Sequence, residues 1–388
     1  MLATHGIVLD LIRTRRATTR SEIMRVTGLS RSTVAQRLER LLESRLICEA
    51  DSGDSTGGRP AGHFCLNNAY GALLVVDAGA TSMRLALTTL TLEIRLEREI
   101  AHAIEKGPDE TLALIKQALA ALLLEAGIEG GDVAGIAMGL PGPVEFETGR
   151  VVRPPIMTGW DDYPIVETLR QAYDCPVIID NDVNLMALGE YRTARAQVQD
   201  LLYIKMGTGI GAGIIMEGRL QRGARGSAGD IGHLMIETDT PTQPAAPCRC
   251  GKRGCLEAYA SGWSLVRTLR EQGHMVDSAQ AIVQLSKSGD AQAIEALRQS
   301  GKRLGLAASY AVSLLNPAVV VLGGTLIEGQ DECVAAFRET LYQRSLPLAT
   351  RDLKVEISHL GRRAGIMGAT HLIIDHLLDP ERIDRQLS

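Results

Sequence analysis

The sequence lacks a run of apolar residues long enough to cross a bilayer. Its first residues also lack the basic, then apolar, then small-residue order of a secretory signal peptide. These absences argue against a membrane protein, and we expect a cytoplasmic chain with no membrane partner. With 388 residues the chain is too long for one hydrophobic core, so we expect two or three domains.

Lysine is absent from residues 1–66, which contain ten arginines and seven acidic residues, a net charge of about +3. The whole chain has a formal net charge of −5, which leaves about −8 for the remainder. A small basic segment on an acidic body predicts a binding module joined to a domain of another kind.

The basic segment predicts three short helices. An apolar stripe from Ile7 to Ile12 indicates the first and residues 21–26 fit the second; Gly28 then breaks the pattern and Ser30 is suited to cap the third. This order is typical of a helix-turn-helix, whose last helix reads the major groove. The side chains suited to base edges and phosphates are Arg31, Ser32, Thr33, Gln36 and Arg37. The alternative is a three-helix bundle with a merely solvated third helix.

Two short strands, at 46–48 and 63–66, are predicted to follow, with a glycine-rich loop between them. Such a pair forms a wing, so residues 1–66 are predicted to be a winged helix-turn-helix domain that binds double-stranded operator DNA. At the loop tip, Arg59 lies in an extended Gly-Gly-Arg-Pro segment that would fit a narrow minor groove. The alternative for Arg59 is an ordinary loop arginine. Because operators of this kind are two-fold, we expect a homodimer or a larger homo-oligomer.

From Gly71 onward strands and helices alternate, and polar or glycine-rich loops follow the strands. Ligands of α/β folds usually bind at those strand ends. At 178–184 the chain reads IIDNDVN, an apolar strand that ends in small polar groups. The Asp182 carboxylate there suits either of two roles, deprotonating a substrate hydroxyl or holding a ligand.

Three loops suit phosphate, because glycine lets a ligand approach the backbone N–H groups. Their candidate residues are Asp77, Gly79 and Thr81; Gly207, Thr208, Gly209 and Gly211; and Gly323 and Gly324. Each loop alone is more typical of an ordinary turn. Their order along the chain is that of the actin-like and sugar-kinase ATPase folds. We therefore predict an α/β body with a first lobe at 70–185 and a second lobe at 186–369, and the resemblance to these folds implies that a final helix at about 370–388 packs back on the first lobe.

Three of the seven cysteines, Cys248, Cys250 and Cys255, lie within eight residues. In a reducing compartment such clustering indicates a metal rather than disulfides. Three thiolates need a fourth ligand to complete a tetrahedral zinc site, and His233 is the candidate nearest upstream. We predict one structural zinc ion per chain, which would position His233 and Glu257. The alternative is a set of free buried cysteines.

Taken together, the motifs DAGATS, GLPGPV, DNDVN, MGTGIGAGI, GDIGH and CRCGKRGCLE resemble those of the ROK family, named for repressors, open reading frames and kinases. The resemblance covers nearly the whole chain, and the winged head is similar to that of the family's transcription regulators. It implies that Asp182 matches the general base of the kinases. The positions that match sugar-binding residues are Gly139, Pro141, Gly142, Asn181, Asp182, Asp230, His233 and Glu257. It also implies that the three glycine-rich loops match nucleotide-phosphate motifs.

Two positions depart from the kinase pattern. Ala80 stands where the kinases usually have glycine, and its Cβ narrows the approach to phosphate. Asp230 stands where they usually have glutamate, so its carboxylate lies on the order of 1.5 Å short. We therefore predict a sugar-responsive transcriptional regulator, with the kinase-like body as sensor of a sugar or sugar phosphate. It would act as a repressor of carbohydrate uptake or catabolism genes. The alternative is an active sugar kinase, using ATP and Mg²⁺, with an accessory DNA-binding domain.

Overall fold

The head consists of three helices and a two-stranded antiparallel sheet. The elements are α1 (His5–Arg13), α2 (Arg20–Thr27), α3 (Arg31–Glu43), β1 (Ile47–Ala50) and β2 (His63–Leu66). The computed structural model describes residues 4–50, 62–240, 244–328 and 330–388, so the predicted wing tip with Arg59 lies outside the described residues. Gly28 ends α2 in the left-handed conformation, and the Ser30 hydroxyl caps α3 by accepting from the Thr33 N–H. The predicted helix-turn-helix order and the strands of the wing are therefore present.

The first lobe is built on a five-stranded sheet with the order β5-β4-β3-β6-β9. Its elements are β3 (Ala72–Ala78), β4 (Ser82–Thr88), β5 (Ile94–Ala101), α4 (Pro108–Ala126), β6 (Val133–Leu140), β7 (Val144–Glu145), β8 (Arg150–Val151), α5 (Ile165–Arg170) and β9 (Val177–Asn181). Strands β3, β6 and β9 are parallel, so Asp77, Gly139 and Asp180 are register partners at one edge. The carboxyl ends of these three strands face the cleft between the lobes.

The second lobe repeats the plan, with the sheet order β12-β11-β10-β13-β14. Its elements are β10 (Leu201–Met206), β11 (Ile210–Met216), β12 (Arg219–Gln221), α7 (Glu257–Ala260), α8 (Gly262–Glu271), α9 (Ala279–Lys287), α10 (Ala291–Leu315), β13 (Val319–Gly323), α11 (Asp331–Arg344), α12 (Pro347–Thr350) and β14 (Lys354–Ile357). In both lobes an antiparallel hairpin is followed by parallel strands, so glycine-rich turns and strand ends meet at the same edge. The two-lobed sugar-kinase fold is as predicted.

Helix α6 (Asp182–Ala194) connects the lobes and packs against α13 (Ala364–Leu377). The two backbones approach closely, because a Cβ at Gly368 would lie 1.8 Å from the Leu185 carbonyl oxygen. The chain's end forms two helices where the sequence predicted one over 370–388. The second, α14 (Pro380–Leu387), begins at a proline, which cannot continue the backbone hydrogen bonding of α13.

The head is docked on these C-terminal helices. The Gly6 N–H donates to the Asp384 carboxylate over 2.9 Å, and a Cβ at Gly6 would lie 2.3 Å from the Pro380 oxygen. One apolar core includes residues of α1–α3, α13, α14 and the first-lobe sheet. Within the described ranges no helix is both long and apolar enough to span a membrane.

Candidate functional site: a cleft between the lobes and an adjacent metal cluster

A cavity of about 770 Å³ lies between the two lobes. The predicted residues that line it are Asp77, Gly79, Thr81, Pro141, Gly142, Asn181, Asp182, Gly207, Thr208, Gly209, Gly211, Asp230, His233, Glu257 and Gly324. Most come from strand ends and turns of both sheets, which explains why residues so distant in sequence meet here. Asp230, His233 and Glu257 come from the segment between β12 and α8.

Gly139 and Gly323, predicted as sugar and phosphate contacts, do not line the cavity. Gly139 lies within β6, where a Cβ would be 2.9 Å from the Leu185 side chain, so its role is to admit α6. Gly323 lies within β13, where a Cβ would be 1.9 Å from the Tyr203 hydroxyl. Both glycines are needed for packing behind the site.

Asp182 is the first residue of α6 and is almost fully buried. Its Oδ2 accepts a hydrogen bond from the Lys205 ammonium over 2.5 Å, and Oδ1 accepts from the Val183 N–H over 2.9 Å. The interpretation from sequence missed Lys205. The signal available was a lysine in the otherwise apolar strand LLYIKM, immediately before a glycine-rich turn.

Asn181 positions the site rather than presenting free hydrogen-bonding groups. Its Oδ1 caps α6 by accepting from the N–H groups of Val183 and Asn184, over 2.9 and 3.1 Å. Its Nδ2 donates to the Gly142 carbonyl over 3.1 Å. The side chain therefore ties the Pro141-Gly142 wall of the cavity to the start of α6.

Glu257 presents a carboxylate held from two sides. Its Oε2 accepts from the Ile210 N–H and its Oε1 from the Trp263 indole, each over 3.1 Å. The guanidinium groups of Arg249 and Arg267 lie 4.8 and 5.2 Å from the Trp263 ring centroid. Glu257 is thus oriented before any ligand arrives, which suits recognition of sugar hydroxyl groups.

The first phosphate turn joins β3 to β4, and the Gly79 N–H donates to the Ser82 carbonyl over 2.8 Å. Burial, with the nearby Asp182 charge, raises the pKa of Asp77 to about 7, against the opposing effects of Lys205 and Arg84. In the third loop Gly324 has φ +96°, and a Cβ there would lie 2.5 Å from the Met206 oxygen. The Ala80 methyl lines the cavity.

The four predicted metal ligands lie together beside the cleft. Their ligand atoms, from His233, Cys248, Cys250 and Cys255, are all within 4.8 Å of one another. Two Sγ atoms on a tetrahedral zinc ion lie about 3.8 Å apart when each Zn–S bond is about 2.3 Å. The Cys250 and Cys255 sulfurs are separated by 3.7 Å, and Cys248 Sγ lies 3.7 Å from His233 Nδ1. Donor types and spacing both fit zinc.

His233 lies at the junction of the metal cluster and the cavity. Its Nδ1 is turned toward Cys248, while Nε2 lies 4.0 Å from the Asp230 carboxylate, which is half exposed. A metal at the cluster would leave Nε2 available to a ligand in the cavity.

On the head, Arg31, Ser32 and Gln36 are exposed at the start of α3, and Thr33 is half-buried. Arg37, also predicted to contact DNA, is directed differently. Its guanidinium lies 2.9 Å from His5 Nδ1, so it joins α3 to α1. Sequence spacing places Arg37 on the polar face of α3 but does not reveal this neighbour.

The chain is similar to known repressors and kinases. It is 29% identical to the xylose repressor of Caldicellulosiruptor bescii over 386 residues, 96% of this chain and 95% of the repressor. It is 31% identical to the glucokinase of Halalkalibacterium halodurans over 313 residues, 77% of this chain and 93% of the kinase.

Among solved structures, a ROK family transcriptional regulator described as a homolog of the Escherichia coli MLC protein superposes with a TM-score of 0.80. It is 26% identical, and the match covers 97% of this chain and 96% of that one. The family model described as the ROK family matches residues 73–376, which include both lobes, the cleft and the metal cluster. The protein therefore belongs to the ROK family.

Proposed function

We propose that the protein is a sugar-responsive transcriptional repressor of carbohydrate uptake or catabolism genes. In this proposal residues 1–66 bind double-stranded operator DNA, and the cleft between the lobes at 70–185 and 186–369 binds a sugar or sugar phosphate. The similarity to repressors over nearly the whole chain, head included, supports this assignment.

The observation that carries the proposal is a shared carboxylate between head and sensor. Oδ1 of Asp375, on α13, accepts from Arg13 of α1 over 2.7 Å and from Arg192 of α6 over 2.6 Å. Helix α6 begins at Asp182 in the cavity, so a ligand that moves this helix also acts on a partner of the head. Two heads in a homodimer would meet half-sites about one helical turn apart, and a small rotation of the heads changes their fit.

Zinc in the cluster would supply no reaction step in this proposal. With four protein ligands a tetrahedral ion has no open position for water, so its contribution is structural. The His233–Cys255 cluster would hold the segment that leads to Glu257, two residues beyond Cys255.

The first prediction is that sugar changes operator affinity through the cleft. A duplex selected from a random library by the wild-type protein is titrated in a fluorescence anisotropy assay, with and without each of a panel of pentoses, hexoses and their phosphates. We expect one sugar class to change the Kd by about fivefold or more. Glu257→Gln should bind the duplex normally but lose this response, since its amide presents a donor where the carboxylate accepts.

The matched control is Gln36→Ala on the exposed face of α3, which should weaken duplex binding. Sugar binding by this variant is measured as the rise in melting temperature on adding sugar, and this rise should equal that of the wild type. A wild-type protein that selects no duplex, or whose DNA binding ignores the entire panel, would contradict the proposal.

A second candidate function is ATP-dependent sugar phosphorylation. Asp182 lies in the same cavity as Thr81 and Thr208, and kinases of the family share the body fold. Two features argue against phosphorylation. The Ala80 methyl lines the cavity and narrows the approach to phosphate, and the Asp182 carboxylate forms an ion pair with Lys205.

The second prediction therefore concerns ADP release with ATP, Mg²⁺ and the sugar panel. We expect the wild type and Asp182→Asn to release ADP at the same rate, because none of the release should depend on the Asp182 carboxylate. A rate of about 1 s⁻¹ or more, abolished by Asp182→Asn, would establish the kinase instead.

A further inference from the structure

We propose that Lys205 is a built-in cation that occupies the carboxylate cluster of the cleft and excludes a divalent metal ion from it. The cleft then binds its sugar without metal. This inference rests on the sensor function proposed above and specifies the chemistry of that site.

The position of Lys205 in the sheet gives its side chain room. Lys205 lies on β10, and its cross-strand partners are Gly211 on β11 and Gly323 on β13. Neither neighbour has a side chain that competes for the space, so the lysine stem reaches the cavity floor with 18% of the side chain exposed.

Three carboxylates interact electrostatically with the ammonium group. Asp182 accepts its hydrogen bond directly, and Asp77 and Glu257 stabilise its charge electrostatically. Burial opposes the charge, but the charge and hydrogen bond of Asp182, with the other two carboxylates, outweigh it and raise the pKa of Lys205 above its ordinary value. The group is therefore an ammonium ion at neutral pH.

The residues present do not fit Mg²⁺, which a sugar kinase needs with ATP. Mg²⁺ is bound in proteins through carboxylate oxygens and water in near-octahedral geometry. Here the Lys205 ammonium lies 2.5 Å from Asp182 Oδ2 and would compete with a metal ion for that oxygen. Asp77, whose pKa lies near 7, retains its proton on a substantial fraction of molecules at neutral pH. A divalent ion placed between these groups would also be repelled by the ammonium.

A neutral polyol fits the same groups. Glu257 and Asp182 retain acceptor capacity, and Lys205 has N–H donors beyond the one given to Asp182. Alternating donors and acceptors of this kind match sugar hydroxyl groups, each of which both donates and accepts.

The third prediction is measured by titrating zinc-loaded protein with Mn²⁺, with free Mn²⁺ followed by electron paramagnetic resonance. The wild type and Asp77→Asn should bind the same amount of Mn²⁺, because no Mn²⁺ site of the wild type should use the Asp77 carboxylate. Lys205→Met, which keeps the aliphatic stem, should gain one Mn²⁺ site with a Kd about tenfold or more below that of any site in the wild type, since without the ammonium the carboxylates present a larger net negative charge. Adding Asp77→Asn to Lys205→Met should abolish the gain.

Lys354→Met is the matched control, because Lys354 is an exposed lysine on β14 that does not line the cavity. It should behave as the wild type. Wild-type binding of Mn²⁺ that a folded Asp77→Asn protein lacks would overturn the proposal, and so would a folded Lys205→Met protein without the gain. The titration contains neither DNA nor sugar, so its result is separate from that of the operator experiment.

Discussion

Cys255→Ser should remove zinc from the protein and with it the response to sugar. A serine hydroxyl is neutral at pH 7 and a poor zinc ligand, whereas the thiolate is a strong one. Loss of an outer partner of a metal ligand lowers metal affinity by about 10–100-fold, so loss of the ligand itself should lower it by roughly 100-fold or more. Cys255 is 1% exposed, so water cannot readily replace its sulfur.

The sugar response should fail because the cluster and the cleft share residues. His233 belongs to both, and Glu257 follows Cys255 by two residues at the start of α7. Metal analysis after dialysis should find about one zinc per wild-type chain and none in the variant, as a Cys3His site requires. The variant should also melt at a lower temperature and show no sugar-induced shift.

Cys175→Ser is the control, because Cys175 is a half-buried thiol outside the cluster. It should retain zinc and the sugar response. A wild-type protein without zinc, or a Cys255→Ser protein that keeps a full equivalent, would rule out the proposed site.

Glu190→Gln should lower the free energy of unfolding by about 3–5 kcal/mol, because it removes the partner of a buried charge. Glu190 is fully buried on α6 and forms an ion pair with Arg195, whose side chain is 5% exposed. It also accepts from the Ser358 hydroxyl and the His359 N–H, each over 2.8 Å. A glutamine amide would direct its N–H groups at one pair of these donors, and Glu356, 2.9 Å away, would be the remaining carboxylate in contact with Arg195.

The Glu190 bonds to Ser358 and His359 join α6 to the segment between β14 and α13, so their loss should also loosen the packing of α6 in the second lobe. We expect the thermal midpoint to fall by roughly 5–10 °C, measured by calorimetry at fixed protein concentration. Glu147→Gln, at an exposed carboxylate, should melt as the wild type does. An unchanged midpoint for Glu190→Gln would show that the buried pair contributes nothing to stability.

Much of the cleft was predictable because parallel strands end at one edge of a sheet. The turns after β3, β10 and β13 each carried glycine and polar residues, and Thr81, Thr208 and Gly324 from these turns line one cavity. The metal cluster was predictable for a different reason. Ligand types and short spacing constrain Cys248, Cys250 and Cys255 whatever the surrounding fold.

Pairings between distant elements were not predictable. The contact of Lys205 with Asp182 depends on how β10 lies against the start of α6, and no local pattern encodes that arrangement. Asn181 was interpreted as a ligand, although an asparagine between a strand and a helix is also a typical N-cap. The docking of Gly6 on Asp384 joins the two ends of the chain, so it appears only in the folded protein.

The shared carboxylate of Asp375 has a consequence for dose response. If sugar weakens operator binding by a given factor through this contact, the operator must weaken sugar binding by the same factor. Chains on DNA and chains free of it then have different half-saturation concentrations for the same sugar. In that case the cellular threshold for induction would be set by operator occupancy as well as by the cleft, and additional operator copies would raise it.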